Sequence, residues 1–566
     1  NPPLPRVQWS LRNNNNYEQT GLLVSLSYVA NNKRQLLQNF YEKSKRSIAK
    51  AKTEGPAAYV LPANDPRIGA QGELLRVLQK QAVEISRATA DFTVQMPVRR
   101  PAGGGRGGRG AAASASPDSA GSSPRGAAEY ETRTFPAGSY IIRMDQPYSR
   151  IADALLDYQF WSPNDPQKQP YDDTGWTFPE GFAVQCVRVT DVKVLDVPVT
   201  KVTDVMVPGG VSGSGSVFLI NANGDNGIAT LRYKLKGADM QAAEESLESG
   251  GQKFNRGSLI VSKVSQADLD KAAKEFGVKA VAVAAAPSVK THAVRAARVA
   301  IMHTWQSTQT EGWWRQGFDF NQIPYDYIST QDISRTPNLN AKWDVIVFGP
   351  GGGNGQSIIE GMAMWRNPMP WKNTPETPNI GTWAQTDDMR PGLGLDGLAK
   401  LQAFVKQDGV LITSGNTADF AINYGLANGV SSSTAQRLHV VGSLLRSKLV
   451  DDASPIAYGI IDNLALFSDD GQTLRVSATR GGGGFGGGGG GGGGGRPTGR
   501  GTADDADVVQ GMPALDPKFQ APPRPVVQPW QYAPISDDQL RNPLNVIPPD
   551  QRPRTILRYA DQRELL

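Results

Sequence analysis

One sequence run occurs twice in this chain, and it constrains the fold more than any other feature. Phe135-Pro136-Ala137-Gly138-Ser139-Tyr140-Ile141-Ile142 and Phe254-Asn255-Arg256-Gly257-Ser258-Leu259-Ile260-Val261 share an aromatic residue, a Gly-Ser pair and an apolar run. Upstream of each lies a short apolar strand with a polar turn, Ala57-Ala58-Tyr59-Val60-Leu61 in the first copy and Val217-Phe218-Leu219-Ile220-Asn221 in the second. The second copy is 40 residues shorter between the strand and this run, and the difference falls where residues 99–128 interrupt the first. The pattern predicts two related α/β units within 53–290, one of them carrying a disordered insertion. Leu74, Leu75 and Leu78 form a helical stripe between the strand at 57–61 and the alternating Val83 and Ile85. That strand–helix–strand order predicts a parallel sheet with crossover helices.

The insertion also explains the charge. It holds five arginines (Arg99, Arg100, Arg106, Arg109 and Arg125) against Asp118, which accounts for four of the chain's net five positive charges. The folded remainder is therefore close to neutral, and a basic protein is not implied. Gly104-Gly105-Arg106-Gly107-Gly108-Arg109-Gly110 has the arginine–glycine texture of RNA-binding tails but no interleaved aromatic residue, so no nucleic-acid partner is expected. No apolar run approaches the ~18–20 residues of a membrane span. Cys186 is the one cysteine, which excludes an internal disulfide and reads as a buried thiol.

Outside the repeat, residues 17–52 read as helix, with Leu22, Leu23, Leu26, Val29 and Ala30, then Leu36, Leu37, Phe40 and Tyr41 at helical spacing. Its lysines and arginines read as a solvated face. From about 297 a third region alternates strands and helices: Arg298–Met302, a helix near Glu311–Gln316, Trp343–Phe348, the helix Leu395–Gln407 and the strand Gly409–Gly415. Strands ending in glycine-rich loops predict a doubly wound parallel sheet of the flavodoxin type. Residues 481–495 are glycine apart from Phe485, and a disordered Gly/Pro-rich insertion is expected over about 480–545.

The chemistry-bearing residues are few. The three histidines, His292, His303 and His439, sit in neither H-x-x-E nor H-E-x-x-H, so no metal ligand or cofactor is assigned to this chain. Ser414 follows a strand and precedes Gly415 but lacks the G-x-S-x-G elbow; a serine hydrolase built on it is a minor alternative. Gly349-Pro350-Gly351-Gly352-Gly353-Asn354-Gly355 follows a strand without the Lys-Ser/Thr of a phosphate loop, and reads as a flexible loop. His303, Trp305, Glu311 and Trp313 cluster after a strand, at the edge where doubly wound folds bind ligands. They are candidate ligand-binding residues for a sugar or peptide; the bland reading is that these tryptophans, Trp314 included, pack a helix onto the sheet.

An ordered set of short motifs then resembles a family. Val7-Gln8-Trp9-Ser10-Leu11-Arg12-Asn13 and Asn39-Phe40-Tyr41-Glu42-Lys43 resemble the segment closing the catalytic domain of bacterial carboxypeptidase A-like zinc metallopeptidases. Ala58–Pro62, Pro136–Tyr140, Met144-Asp145-Gln146-Pro147-Tyr148 and Tyr171–Thr177 resemble the extension that follows it in large secreted members. The region from 297, with Trp343–Phe348 and Pro455-Ile456-Ala457-Tyr458-Gly459, resembles a terminal glutamine-amidotransferase-like domain. The resemblance implies a division into 1–52, the helical end of a zinc-carboxypeptidase-like domain; 53–290, two α/β units; and 291–566, an amidotransferase-like domain. It implies zinc-assisted removal of C-terminal residues by an upstream domain, with this chain as its non-catalytic portion. No position here matches the family's zinc ligands or general-base Glu, and no cysteine after 186 serves as an amidotransferase nucleophile. The implied partners are the chain's own upstream peptidase domain and a peptide substrate, with zinc bound upstream only. The implied location is secreted or periplasmic. Asn1-Pro2-Pro3-Leu4-Pro5 carries no initiator Met or signal pattern, and Arg554–Tyr559 with Leu565-Leu566 ends without a polar tail, so a fragment of a longer polypeptide is expected.

Overall fold

A computed structural model of the protein describes residues 8–97, 130–158, 177–479 and 532–560, except 352, 366, 435–441, 461–463, 469–471, 533, 536 and 542. The expected insertion at 99–128, most of that at 480–545, and His439 lie outside the described residues.

Two helices come first, α1 (Leu11–Asn31) and α2 (Lys33–Thr53). The helical reading of 17–52 holds; the helical stretch starts earlier and breaks at Asn32, whose backbone N–H and side-chain amide both bond the Tyr28 carbonyl, at 2.9 and 2.8 Å. Asparagine competes for backbone in this way, which is why it ends helices. No residue of α1 is buried, and Leu22, Leu23, Leu26 and Val29 stand in solvent. Only the end of α2 docks, through Ser47 and Ala51.

The first unit contains β1 (Ala58–Leu61), α3 (Ile68–Lys80), β2 (Ile85–Ala88), the hairpin β3 (Phe92–Pro97) and β4 (Tyr130–Phe135), β5 (Tyr140–Arg143), α4 (Ser149–Leu156), the single turn α5 (Phe178–Gly181), β6 (Val187–Val189) and β7 (Val199–Val202). Its sheet runs β6-β1-β5-β2-β7 with every neighbour antiparallel. The expected parallel sheet is corrected here. β1 and β2 do point the same way across α3, but β5 inserts between them, giving a split β-α-β arrangement. Both faces of β1 are covered, which explains its unbroken apolar run. Tyr59 and Leu61 pack under Leu74, Leu75 and Leu78 of α3, whereas Val60 faces Phe92, Val94 and Phe135 of the hairpin.

The second unit contains β8 (Gly210–Gly213), β9 (Val217–Ile220), α6 (Asn226–Lys234), β10 (Asp239–Ala243), β11 (Leu247–Ser249), β12 (Gln252–Phe254), β13 (Leu259–Ser262), α7 (Gln266–Phe276), β14 (Lys279–Val283) and β15 (Thr291–Ala293). Its sheet, β15-β10-β13-β9-β14-β8, holds the inner order β14-β9-β13-β10, the same path as β6-β1-β5-β2. Both are β-α-β-β-α-β units of ferredoxin-like topology. The repeated turn does the same work in each. Gly138 and Gly257 adopt φ of 86° and 87°, a region that glycine enters without strain. The buried Ser139 Oγ accepts the Ala63 N–H at 3.1 Å and donates to the Pro136 carbonyl at 2.7 Å. Ser258 Oγ accepts from Ala222 N–H at 3.0 Å and donates to Asn255 at 2.6 Å.

The units meet at a helix terminus. Asp225, buried just before α6, accepts the Gly69 and Ala70 N–H groups at the start of α3, both at 3.0 Å, with Arg67 3.9 Å away. These amides have no partner inside their own helix, so a carboxylate from the other unit satisfies them and meets the positive end of the dipole.

The third region carries β16 (Val299–His303), α8 (Gln309–Phe320), β17 (Tyr325–Ser329), α9 (Thr330–Arg335), β18 (Val345–Phe348), α10 (Gly355–Glu360), α11 (Gly394–Lys406), β19 (Val410–Thr413) and α12 (Asn416–Asn423). Its sheet, β17-β16-β18-β19, is parallel throughout. One face packs Trp314 and Phe318 of α8; the other packs Ile333, Leu401, Phe404 and Phe420 from α9, α11 and α12. Beyond it, β20 (Val430–Thr434) pairs β23 (Gln472–Val476), and β21 (Ser443–Leu449) lies between β22 (Ala465–Ser468) and β24 (Leu557–Tyr559). Pro455–Gly459 returns to the second unit, with the Tyr458 ring against Gly257, where a Cβ would sit 2.4 Å from it. Among the described residues no helix is long and apolar enough to cross a membrane.

Candidate functional site

The carboxyl edge of the parallel sheet gathers a polar cluster at the end of an apolar row. Val299 and Ile301 of β16 point toward α8, and the alternation of a strand puts His303 on the same face, at its last residue. On the neighbouring strand Tyr325 and Tyr327 share that face. Helix α8 lowers Glu311, in its first turn, and Arg315, one turn on, toward them.

The rings form a stack running from the interior to the surface. His303 lies parallel to Tyr327 with centroids 4.2 Å apart, and Trp305 meets His303 edge-on at 4.9 Å. The Arg315 guanidinium carbon sits 4.0 Å from the Tyr327 centroid and 4.6 Å from that of Trp383. His303 is only 3% exposed, whereas Trp383 is 70% exposed.

Three buried polar atoms in this cluster have no hydrogen-bond partner among the described residues: His303 Nε2, Trp305 Nε1 and Glu311 Oε1. His303 Nδ1 lies 2.9 Å from the Thr304 carbonyl, which can only accept, so the ring is protonated at Nδ1 and presents a bare lone pair at Nε2. Burial lowers its pKa and keeps it neutral. Glu311, 2% exposed, accepts the Tyr327 hydroxyl at 3.1 Å through Oε2. Burial pushes its pKa up to about 7, against the Tyr327 hydrogen bond and the Arg315 charge that pull it down. The helix N-terminus also favours the carboxylate, yet desolvation prevails.

The structure thus brings together His303, Trp305 and Glu311. Trp313 stands apart, 66% exposed on α8. Its neighbour Trp314 performs the helix-packing role, lying 3.3 Å from where a Cβ on Gly349 would be. Arg315, Tyr327 and Trp383 were not expected. The Tyr325/Tyr327 alternation beside β16 was a readable signal for the second of these; Trp383 lies in a long loop with none.

The other candidates are less developed. Ser414 N–H donates to Thr417 Oγ1 at 3.0 Å, and among the described residues no histidine or carboxylate bonds its hydroxyl. The loop after β18 is tied down by Asn416, which bonds the backbone of Gly351 and Gly353. Cys186 lines a cavity of about 240 Å³ with Tyr158, Glu180 and Arg133. Burial pushes its thiol pKa up, the reverse of a reactive thiolate. His292 lies 3.3 Å from Glu244. Among the described residues no group of three or more His, Cys, Asp or Glu could hold a metal ion.

No family model matches the chain, and no curated protein matches it.

Proposed function

We propose that this chain is the non-catalytic carboxy-terminal portion of a secreted zinc carboxypeptidase-like metallopeptidase, whose proteolysis belongs to an upstream domain. The observation that carries the reading is α1, twenty-one residues with none buried and an apolar set in solvent. An isolated helix of this length is marginal in water, and its stability normally comes from burying such a face. The segment is the one that resembles the end of the peptidase domain, so that domain is its natural cover. The two ferredoxin-like units then support the peptidase. The parallel sheet, with one strand on one side of β16 and two on the other, fits an amidotransferase-like domain lacking the nucleophile. The test is to compare this chain with the longer natural polypeptide on peptides with free and blocked C-termini. The chain alone should retain no stoichiometric zinc and cleave nothing; zinc-dependent cleavage by it would contradict the proposal.

A second reading makes the third region a binding module for a sugar or peptide. It is favoured by the three unpartnered buried atoms gathered in one aromatic cluster. Native groups of this kind are rare without a ligand, water or ion to meet them. Binding to glycan and peptide panels should be lost in Trp305→Ala; unchanged binding removes this reading.

A further inference from the structure

We propose that Glu311, Arg315 and Trp383 form a proton-operated latch: with the Glu311 carboxyl neutral, Arg315 holds Trp383 against α8, and the ionised carboxylate draws Arg315 away and frees it. The latch stands apart from both readings of function, since it concerns how one loop is held.

The closed state is the one in the structure. Arg315 lies against two rings, its guanidinium carbon 4.0 Å from the Tyr327 centroid and 4.6 Å from that of Trp383. Its one hydrogen bond among the described residues runs from Nε to the Tyr325 hydroxyl at 3.5 Å, and it forms no ion pair there. Trp383 is exposed, and among the described residues neither a hydrogen bond nor a second ring contact holds it. The loop that carries it is tied elsewhere. Trp371 and Thr386 exchange two backbone hydrogen bonds of 2.9 Å, and the buried Arg390 pairs with Asp388. Trp383 can therefore leave α8 without the base of the loop coming apart.

Glu311 supplies the pull. It sits four residues before Arg315 on α8, the spacing and order at which a carboxylate and a cation meet on a helix. Both already touch Tyr327: Glu311 Oε2 accepts its hydroxyl at 3.1 Å, while Arg315 covers its ring. Glu311 Oε1 is buried with no partner among the described residues, which a neutral carboxyl tolerates far better than an anion does. Once ionised, the buried carboxylate needs a cation, and Arg315 is the charge that already bears on it. The other titratable groups nearby are His303 of β16, on the far face of the Tyr327 ring with Asp332 of α9 acting on it, and Tyr325 and Asp319 beside Arg315. Burial keeps His303 neutral, so it offers Glu311 no charge. Burial also sets the Glu311 transition at about 7. The latch is closed below that value and open above it.

The experiment is fluorine NMR on the full chain carrying 5-fluorotryptophan, from pH 5.5 to pH 8.5, with the Trp383 signal identified by its loss in Trp383→Phe. In the wild type this signal moves from a ring-stacked to a solvent-exposed position with a midpoint near 7. Glu311→Gln, isosteric and uncharged, keeps the stacked position over the whole range. Arg315→Gln shows the solvent-exposed position at every pH, because the cation that holds the ring is gone. Each variant is decisive alone, so failure of one to fold leaves the other as the test. A wild-type signal that does not titrate overturns the latch, and so does a titration that survives in either variant. A stacked Trp383 in Arg315→Gln overturns it as well.

Discussion

Glu311 Oε2 accepts the Tyr327 hydroxyl at 3.1 Å, and its other carboxyl oxygen is buried with no partner among the described residues. One neutral donor is too little to hold a buried carboxylate ionised, so the proton stays on to near neutrality.

This fixes a sign for stability. A folded-state pKa of about 7, above the ordinary 4.5, means that the folded chain binds more protons than the unfolded one between those values. Stability is full below about 4.5 and falls as pH rises toward 7, by on the order of 2 kcal/mol from this group. Glu311→Gln should remove that slope and make the variant the more stable form at pH 8. Urea unfolding at pH 5 and pH 8 checks this, since only the wild type should lose midpoint between the two.

His303 acts in the opposite direction. Its pKa is lowered by burial, so the stability it contributes is present above about 6.5 and is lost as pH falls. A neutral substitute such as His303→Gln should flatten the acid side of the stability profile. Nuclear magnetic resonance of the His303 ring should find it neutral and protonated at Nδ1 at pH 7.

The twin serines make a paired prediction. Ser139→Ala leaves the Ala63 N–H without its acceptor, and Ser258→Ala does the same to Ala222. Each should cost about 1–3 kcal/mol, the penalty of stranding a donor that is buried at Ala222 and half-buried at Ala63. Denaturant melts of the two single variants should show losses of similar size, because the two turns bond alike.

Asp225 couples the units through the first amides of α3. Asp225→Ala should destabilise the chain by about 1–2 kcal/mol, as loss of a helix cap does. Gly69→Ala should also be costly, since its Cβ would meet the Asp225 carboxyl carbon at 2.9 Å. Hydrogen exchange at residues 69–72 should quicken in both variants while the parallel sheet is unaffected.

Much of this architecture was legible in the sequence, for physical reasons that particular residues make plain. Phe135–Ile142 and Phe254–Val261 announced a repeated unit, and in the structure both runs form the same turn, with glycine at positive φ followed by a serine. Leu401 and Phe404 marked the inward face of α11 by spacing alone. The sheet direction at 58–88 was not legible, because a strand, helix and strand are spelled the same whether the strands are neighbours or β5 lies between them. At the candidate site the chain order showed His303, Trp305 and Glu311, which are local in sequence. Arg315 reads as an ordinary surface residue of α8 until Tyr327 and Trp383 are seen against it, and that contact is set by tertiary packing.

The apolar face of α1 separates a docking helix from a stable element of this chain. Leu22→Ser or Leu26→Ser should change the stability of the isolated chain by no more than about 0.5 kcal/mol, as exposed positions do, whereas Phe404→Ala should cost about 3–5 kcal/mol. Thermal melts of these variants check the contrast.

The most direct measurement is amide hydrogen exchange across residues 11–31, in this chain alone and in the longer zinc-bearing polypeptide that the proposal requires. The account predicts rapid exchange in the isolated chain and strong protection in the polypeptide, where a zinc-bearing domain covers Leu22, Leu23, Leu26 and Val29. Equal exchange in both, or protection already present in the isolated chain, would contradict it.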